Sequence, residues 1–224
     1  TIADVYAMVD LALNEKIKIT TGARVEAMDL QVESADKDKE IGNLKKTDIL
    51  PSMQVKYRVN KQTNLRLGYG RTLARPTFRE IAPFTTFSFD QPPVKGNPSL
   101  DRTLVDNFDL KWETYPNIGE VLSFGMFYKN MYNPIGQAFV PHAANVEIEM
   151  VNLPNASVAG LEFEFKKSFV NLLEADSKFS RLNHFNIGFN VSYIYSVSKI
   201  DVKELEARKE VDPNATETRP LFAQ

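Results

Sequence analysis

The sequence has no cysteine among its 224 residues. Disulfides and thiolate metal sites are therefore excluded. Its two histidines, His142 and His184, fall in separate connections. A metal centre needs several converging ligands, so no metal site is expected. No apolar run approaches the ~18 residues of a membrane-spanning helix. Charge of one sign is also lacking: the formal net charge is −2, which gives no electrostatic basis for nucleic-acid binding. Signatures of catalysis are missing too. There is no Gly-x-Ser-x-Gly elbow, no His-Glu-x-x-His and no phosphate loop. Gly68-Tyr69-Gly70 lacks the third glycine of a dinucleotide fingerprint and lies within a strand pattern. Asn155, Asn190 and Asn214 each begin an Asn-x-Ser/Thr triplet, a motif short enough to arise by chance. No enzyme activity and no cofactor are expected.

What the chain does have is strict alternation of apolar and polar residues. Apolar residues make up 43% and charged residues 25%, with a mean hydropathy of −0.30. Ile17, Ile19, Thr21, Ala23, Val25 and Ala27 oppose Lys18, Thr20, Gly22, Arg24 and Glu26. Met53, Val55, Tyr57 and Val59 oppose Gln54, Lys56 and Arg58. The same pattern recurs around Ala7, Leu65, Leu110, Phe124, Phe163 and Phe189, which makes about eight candidate strands. In the strand around Phe124, Phe127 is the exception on the polar face. Paired Glu162 and Glu164 read as charges on that face, balanced by neighbouring Lys or Arg, rather than as an acid pair for catalysis.

The links between these strands alternate in length. Residues 14–16, 60–63 and 115–119 make tight links; residues 33–47, 75–102 and 131–150 make long ones. Short turns at one end and long loops at the other are the build of a transmembrane β-barrel. Trp112, Tyr115 and Tyr57 lie beside tight turns, where barrels carry aromatic girdles. An antiparallel sheet with one wet face would also alternate. However, the apolar faces are uniformly large, and no helix of suitable length and pattern exists to cover them. Two segments depart from the scheme. Residues 168–184 are long where a turn should be short, and Phe169, Leu172, Leu173 and Phe179 suit a short amphipathic helix. Residues 199–211 alternate charge signs and read as a solvated loop with at most a turn of helix.

Further residues carry a resemblance. Arg71-Thr72-Leu73-Ala74-Arg75-Pro76-Thr77-Phe78-Arg79-Glu80 looks like a strand end entering an extracellular loop, and Gly96-Asn97-Pro98-Ser99-Leu100 like the return into the next strand. With Phe127-Tyr128-Lys129, Gly160-Leu161-Glu162 and Arg219-Pro220-Leu221, the series resembles the β-barrel of TonB-dependent outer-membrane receptors, particularly Bacteroidetes-type members. Phe222-Ala223 departs from the expected Gly-Gln, and residues 199–211 match nothing in the family.

The resemblance implies an all-β fold: residues 1–224 would be a partial antiparallel transmembrane barrel domain of about eight strands, taken from a larger barrel of ~22. The chain reads as an internal piece of a longer protein, without plug or closing strands. Implied partners are the TonB complex through an N-terminal region, the lipid bilayer, a small solute and a surface lipoprotein. Implied function is energy-coupled uptake of a scarce solute: siderophore, cobalamin, or glycan or peptide. The alternatives are a passive porin or assembly barrel, a barrel-embedded hydrolase and a soluble β-rich binding protein. The candidate ligand contacts lie in residues 75–101, about 27 residues, longer than the ~12–15 beyond which a loop is usually functional or disordered. They are Arg75, Arg79, Phe84, Phe87 and Phe89. Phe78 adds a fourth aromatic side chain, and several prolines stiffen the segment.

Overall fold

The computed structural model describes residues 1–33, 42–89, 92–141, 146–169 and 185–221. His142, His184, Phe222-Ala223 and all but the start of the expected helix over 168–184 lie outside them.

Alternation produces one long antiparallel sheet. Its strands are β1 (Ile2–Ala12), β2 (Ile17–Val32), β3 (Gly42–Arg58), β4 (Thr63–Ala74), β7 (Thr103–Thr114), β8 (Val121–Tyr132), β11 (Asn155–Ser168), β12 (Asn186–Lys199) and β13 (Thr218–Arg219). Nine strands pair in that order, against about eight expected. The ninth, β13, is two residues that pair with Ser198 and Lys199, too short to show any alternation.

Two of the three tight turns share one device. Asn14 Oδ1 accepts from the backbone N–H of Lys16 and Ile17, both at 2.9 Å. Asn60 Oδ1 accepts likewise from Gln62 and Thr63 at 2.9 Å. An asparagine side chain replaces a backbone carbonyl here and closes the turn. The third turn uses Gly119 at φ 79, a conformation glycine adopts freely.

Register fixes the faces as expected. Leu67 pairs with Leu110, which pairs with Met126 and then Leu161. Burial along these faces is inverted relative to a soluble protein. Leu67 is 53% and Phe108 47% exposed, whereas Glu113 and Ser123 on the polar face are each 3% exposed. Large apolar side chains thus stand uncovered among the described residues, against the one-wet-face alternative, which needs that side covered. Phe127, the exception on the polar face, lies over Gly160, its direct partner across the strands. A Cβ at Gly160 would sit 2.4 Å from the Phe127 ring, so the ring fills the space the glycine leaves.

β2 and β3 run 16 and 17 residues, beyond the ~9–11 that cross a bilayer. In the extra length the polar face turns apolar. Met28, Val32 and Leu44 pack there with Ile81 and Ala82, and Leu30 flanks them. Ile81 closes α1 (Phe78–Ile81), so the loop of residues 75–102 folds back onto the extended β2–β3 hairpin.

Candidate ligand-binding loops

The two longest connections are not solvated linkers. Residues 75–102 form α1, β5 (Thr85–Thr86) and β6 (Val94–Lys95); residues 133–154 form β9 (Ile135–Phe139) and β10 (Ile148–Asn152). Together they build a second, four-stranded sheet in the order β5-β6-β10-β9. β6 and β10 run parallel and join the two loops.

The motif Gly96 to Leu100 makes the return possible. Gly96 lies flat on the end of α1, where a Cβ would stand 2.1 Å from the Ala82 carbonyl oxygen. Asn97 N–H donates to the Glu80 carbonyl at 2.7 Å and satisfies a helix-end acceptor. Asn97 Oδ1 accepts from Ser99 N–H at 2.9 Å, and Leu100 is buried.

Both roots of the first loop are bolted to the β2–β3 hairpin by charge. Glu26 and Asp48 face each other across β2 and β3, and both are buried. Like charges so placed repel unless cations meet them. Arg75, at the loop's exit, pairs with Glu26. Arg102, at its return, grips Asp48 with contacts of 2.5 and 2.7 Å. Lys46 Nζ meets Asp101 at 2.9 Å, and Asn152 holds the Asp101 backbone from β10. Burial pushes the Asp101 carboxyl up, but hydrogen bonds from Lys46 and the Arg102 N–H, with the Arg102 charge, leave it below the usual carboxylate range. Hydrogen bonding to Asp48 holds Arg102 more firmly protonated against the cost of burial.

The five expected contacts therefore separate. Arg79, Phe84 and Phe87 line one pocket of about 660 Å³ with Thr86, Pro92 and Val94. Phe78 stacks against Phe84 with ring centroids 6.2 Å apart. Phe89 stands fully exposed and does not line the pocket. Arg75 is engaged with Glu26. Among the described residues the guanidinium of Arg79, like that of Arg58 on β3, has no ion-pair or hydrogen-bond partner, whereas Arg24, Arg66, Arg71, Arg75, Arg102, Arg208 and Arg219 are paired.

Three features are invisible to sequence reasoning. The first is α2 (Val202–Val211), where a solvated loop with at most a turn of helix was expected. Asp201 caps it, accepting from Lys203 N–H at 3.0 Å. It has no apolar face and docks through buried Glu204 instead. Glu204 meets Arg208 at 2.6 Å and Arg219 at 3.6 Å and accepts from Phe139 N–H. Arg219 also donates to the Gln137 carbonyl, which accounts for the arginine of Arg219-Pro220-Leu221. The second is a cleft of about 1030 Å³ between both long loops and α2, bordered by Asn97, Phe139, Glu149, Asn152 and Glu206. The third is a basic row on the polar face. Lys18 pairs across the strands with Lys56, Lys56 with Arg66 and Arg66 with Lys111. Asp10, Glu113 and Glu164 balance Lys18, Arg66 and Lys111. Lys56 has no such partner among the described residues. Only the register brings these four together, from positions up to 93 residues apart.

Among the described residues no group of His, Cys, Asp or Glu has the arrangement of a metal site.

Three solved structures share the fold. The ferric enterobactin receptor PfeA of Pseudomonas aeruginosa aligns with a TM-score of 0.60 at 16% identity, over 90% of this chain and 30% of its own. The alcaligin outer-membrane receptor FauA of Bordetella pertussis aligns at 0.56 and 14% identity, over 88% and 30%. The copper transporter OprC aligns at 0.62 and 12% identity, over 87% and 28%. The chain thus spans about a third or less of these neighbours. No curated protein sequence matches it. The family model for the outer membrane protein beta-barrel family matches residues 1–214. The apolar face is accordingly the lipid-facing one and the polar face the inner one, and the chain belongs to the outer membrane protein beta-barrel family, its antiparallel sheet seated in the outer membrane.

Proposed function

We propose that the whole protein is a TonB-dependent receptor that takes up a scarce solute by active transport. The observation that carries this is the folded loop assembly. A passive pore has no need of a second sheet, two charge-bolted loop roots and a 660 Å³ pocket beyond the ends of its strands. Such a frame suits capture, since binding sites sit on loops held by a rigid scaffold. The named roles of the structural neighbours, receptor and transporter, support the same reading. Ligand contact belongs to Arg79, Phe84 and Phe87, with Phe89 at the margin; Arg75 serves them by fixing the loop. A plug, a TonB-contacting segment and a surface lipoprotein are parts of this proposal outside the chain described.

The test is depletion of solutes from a defined culture extract by cells that carry the full-length protein. Active uptake predicts that one solute class disappears and that a protonophore or loss of TonB stops it. Depletion that continues under both treatments identifies a passive pore. Replacing residues 84–89 by a Gly-Ser linker is expected to abolish that depletion while heat-modifiable migration of the barrel stays normal.

A further inference from the structure

The geometry points to a ligand class for the Arg79 pocket: an apolar or aromatic solute that carries a single carboxylate. The inference rests on the receptor reading above and adds the chemistry of the cargo. Phe84, Phe87, Pro92 and Val94 supply an apolar wall around about 660 Å³, within the ~300–1,000 Å³ usual for small-molecule sites. Arg79 supplies the one charge that the described residues bring to that lining. A guanidinium presents a planar fork of donors that matches a carboxylate in two parallel hydrogen bonds. The two arginines at the roots of this loop each meet an acid, Arg75 meeting Glu26 and Arg102 meeting Asp48. Arg79 meets none among the described residues and projects from α1, whose Ile81 is anchored in the hairpin core. It is a solvent-exposed donor at the pocket with no protein acceptor among the described residues.

The charge count favours a carboxylate over a phosphate. A phosphate monoester carries nearly two negative charges at neutral pH, and the lining offers one cation. A neutral solute would leave the fork without an acceptor, and a cation would be repelled by it. The inner wall points the same way independently. In the row Lys18, Lys56, Arg66 and Lys111, three cations are balanced by Asp10, Glu113 and Glu164, and Lys56 has no balancing carboxylate among the described residues. The uncompensated charge of Lys56 favours an anion on the way through.

Direct binding to the purified full-length protein in detergent tests this without any need for transport. The probes are 2-naphthoate, its neutral amide and 2-naphthyl phosphate, measured by calorimetric titration. The carboxylate should bind about tenfold more tightly than the amide, equivalent to ~1.4 kcal/mol, and more tightly than the phosphate. Arg79→Gln should erase the preference for carboxylate over amide. Phe87→Ala should weaken both probes and keep the preference. Asp90→Asn serves as the control for a structural role of Arg79 through a nearby acid in the sequence; it should change nothing. Equal binding of carboxylate and amide overturns the inference, as does a preference that survives Arg79→Gln. Loss of the preference in Asp90→Asn also overturns it, and so does failure of all three probes to bind. Normal heat-modifiable migration of each variant separates lost recognition from lost assembly. If uptake proves passive while the carboxylate preference holds, the receptor reading fails and the pocket chemistry stands.

Discussion

Leu110 and Lys111 are consecutive residues of β7 that face opposite media. Leu110 lies on the lipid-facing side beside Leu67 and Met126; Lys111 lies on the inner side, 3.9 Å from Glu164. Leu110→Arg or Phe124→Arg in the full protein should cost roughly 2–4 kcal/mol near the bilayer midplane. Lys111→Gln and Ser123→Ala, one position along each strand, should cost much less. Unfolding in lipid vesicles measures the difference, and equal penalties on both faces would contradict the assignment. Gly96 makes a second prediction at this scale. Gly96→Ala places a methyl group 2.1 Å from the Ala82 carbonyl oxygen, a backbone atom that cannot swing aside. Overpacking of that kind costs about 1–3 kcal/mol. The cost should fall on residues 75–102 alone, as faster proteolysis of that loop with the barrel intact.

Among the elements, strands were legible and loops were not, for a physical reason. A strand's face follows from a period of two in its own residues, so Ile17 through Ala27 declare theirs without reference to any partner. The fold of residues 75–102 depends instead on Glu26, Asp48 and Asn152, which belong to other strands. Arg75 and Arg79 stand four apart in one loop and look equivalent as donors, yet Glu26 claims only the first. α2 escaped notice because it buries a carboxylate rather than an apolar stripe, and hydrophobic periodicity is blind to that. The ionic root of the loop should be acid-sensitive. The Asp101 carboxyl is depressed in the folded protein, so its contribution is present above the unfolded value of about 3.9 and is lost as pH falls through the lower folded value. Amide exchange at residues 75–102 should therefore speed up on acidification through that window before the strands of the barrel are affected. Lys46→Gln should move the onset to higher pH, because it removes the hydrogen bond that lowers Asp101. An onset that stays in place would show that the bolt at Asp101 does not hold the loop.

The whole sheet has two unlike ends, and that polarity fixes its orientation in the membrane. One end carries the asparagine-closed turns at Asn14 and Asn60 and the turn at Gly119. The other carries the second sheet, both pockets and α2. In outer-membrane barrels the short turns face the periplasm and the long loops face outward. Polar backbone and charged side chains must leave the hydrocarbon together, and β2 and β3 do so at the long-loop end, where Asp29 and Lys45 pair at 3.4 Å on the continuation of the lipid-facing side. An epitope inserted after Asn214, in the exposed segment beyond α2, should therefore be labelled on intact cells by an impermeant antibody. One inserted after Asn117, in the third tight turn, should be reached only after the outer membrane is opened. Labelling of Asn117 on intact cells would invert the sheet and place the Arg79 pocket in the periplasm, where it could not capture an external solute. The orientation experiment thus bears on the receptor proposal before any ligand is in hand.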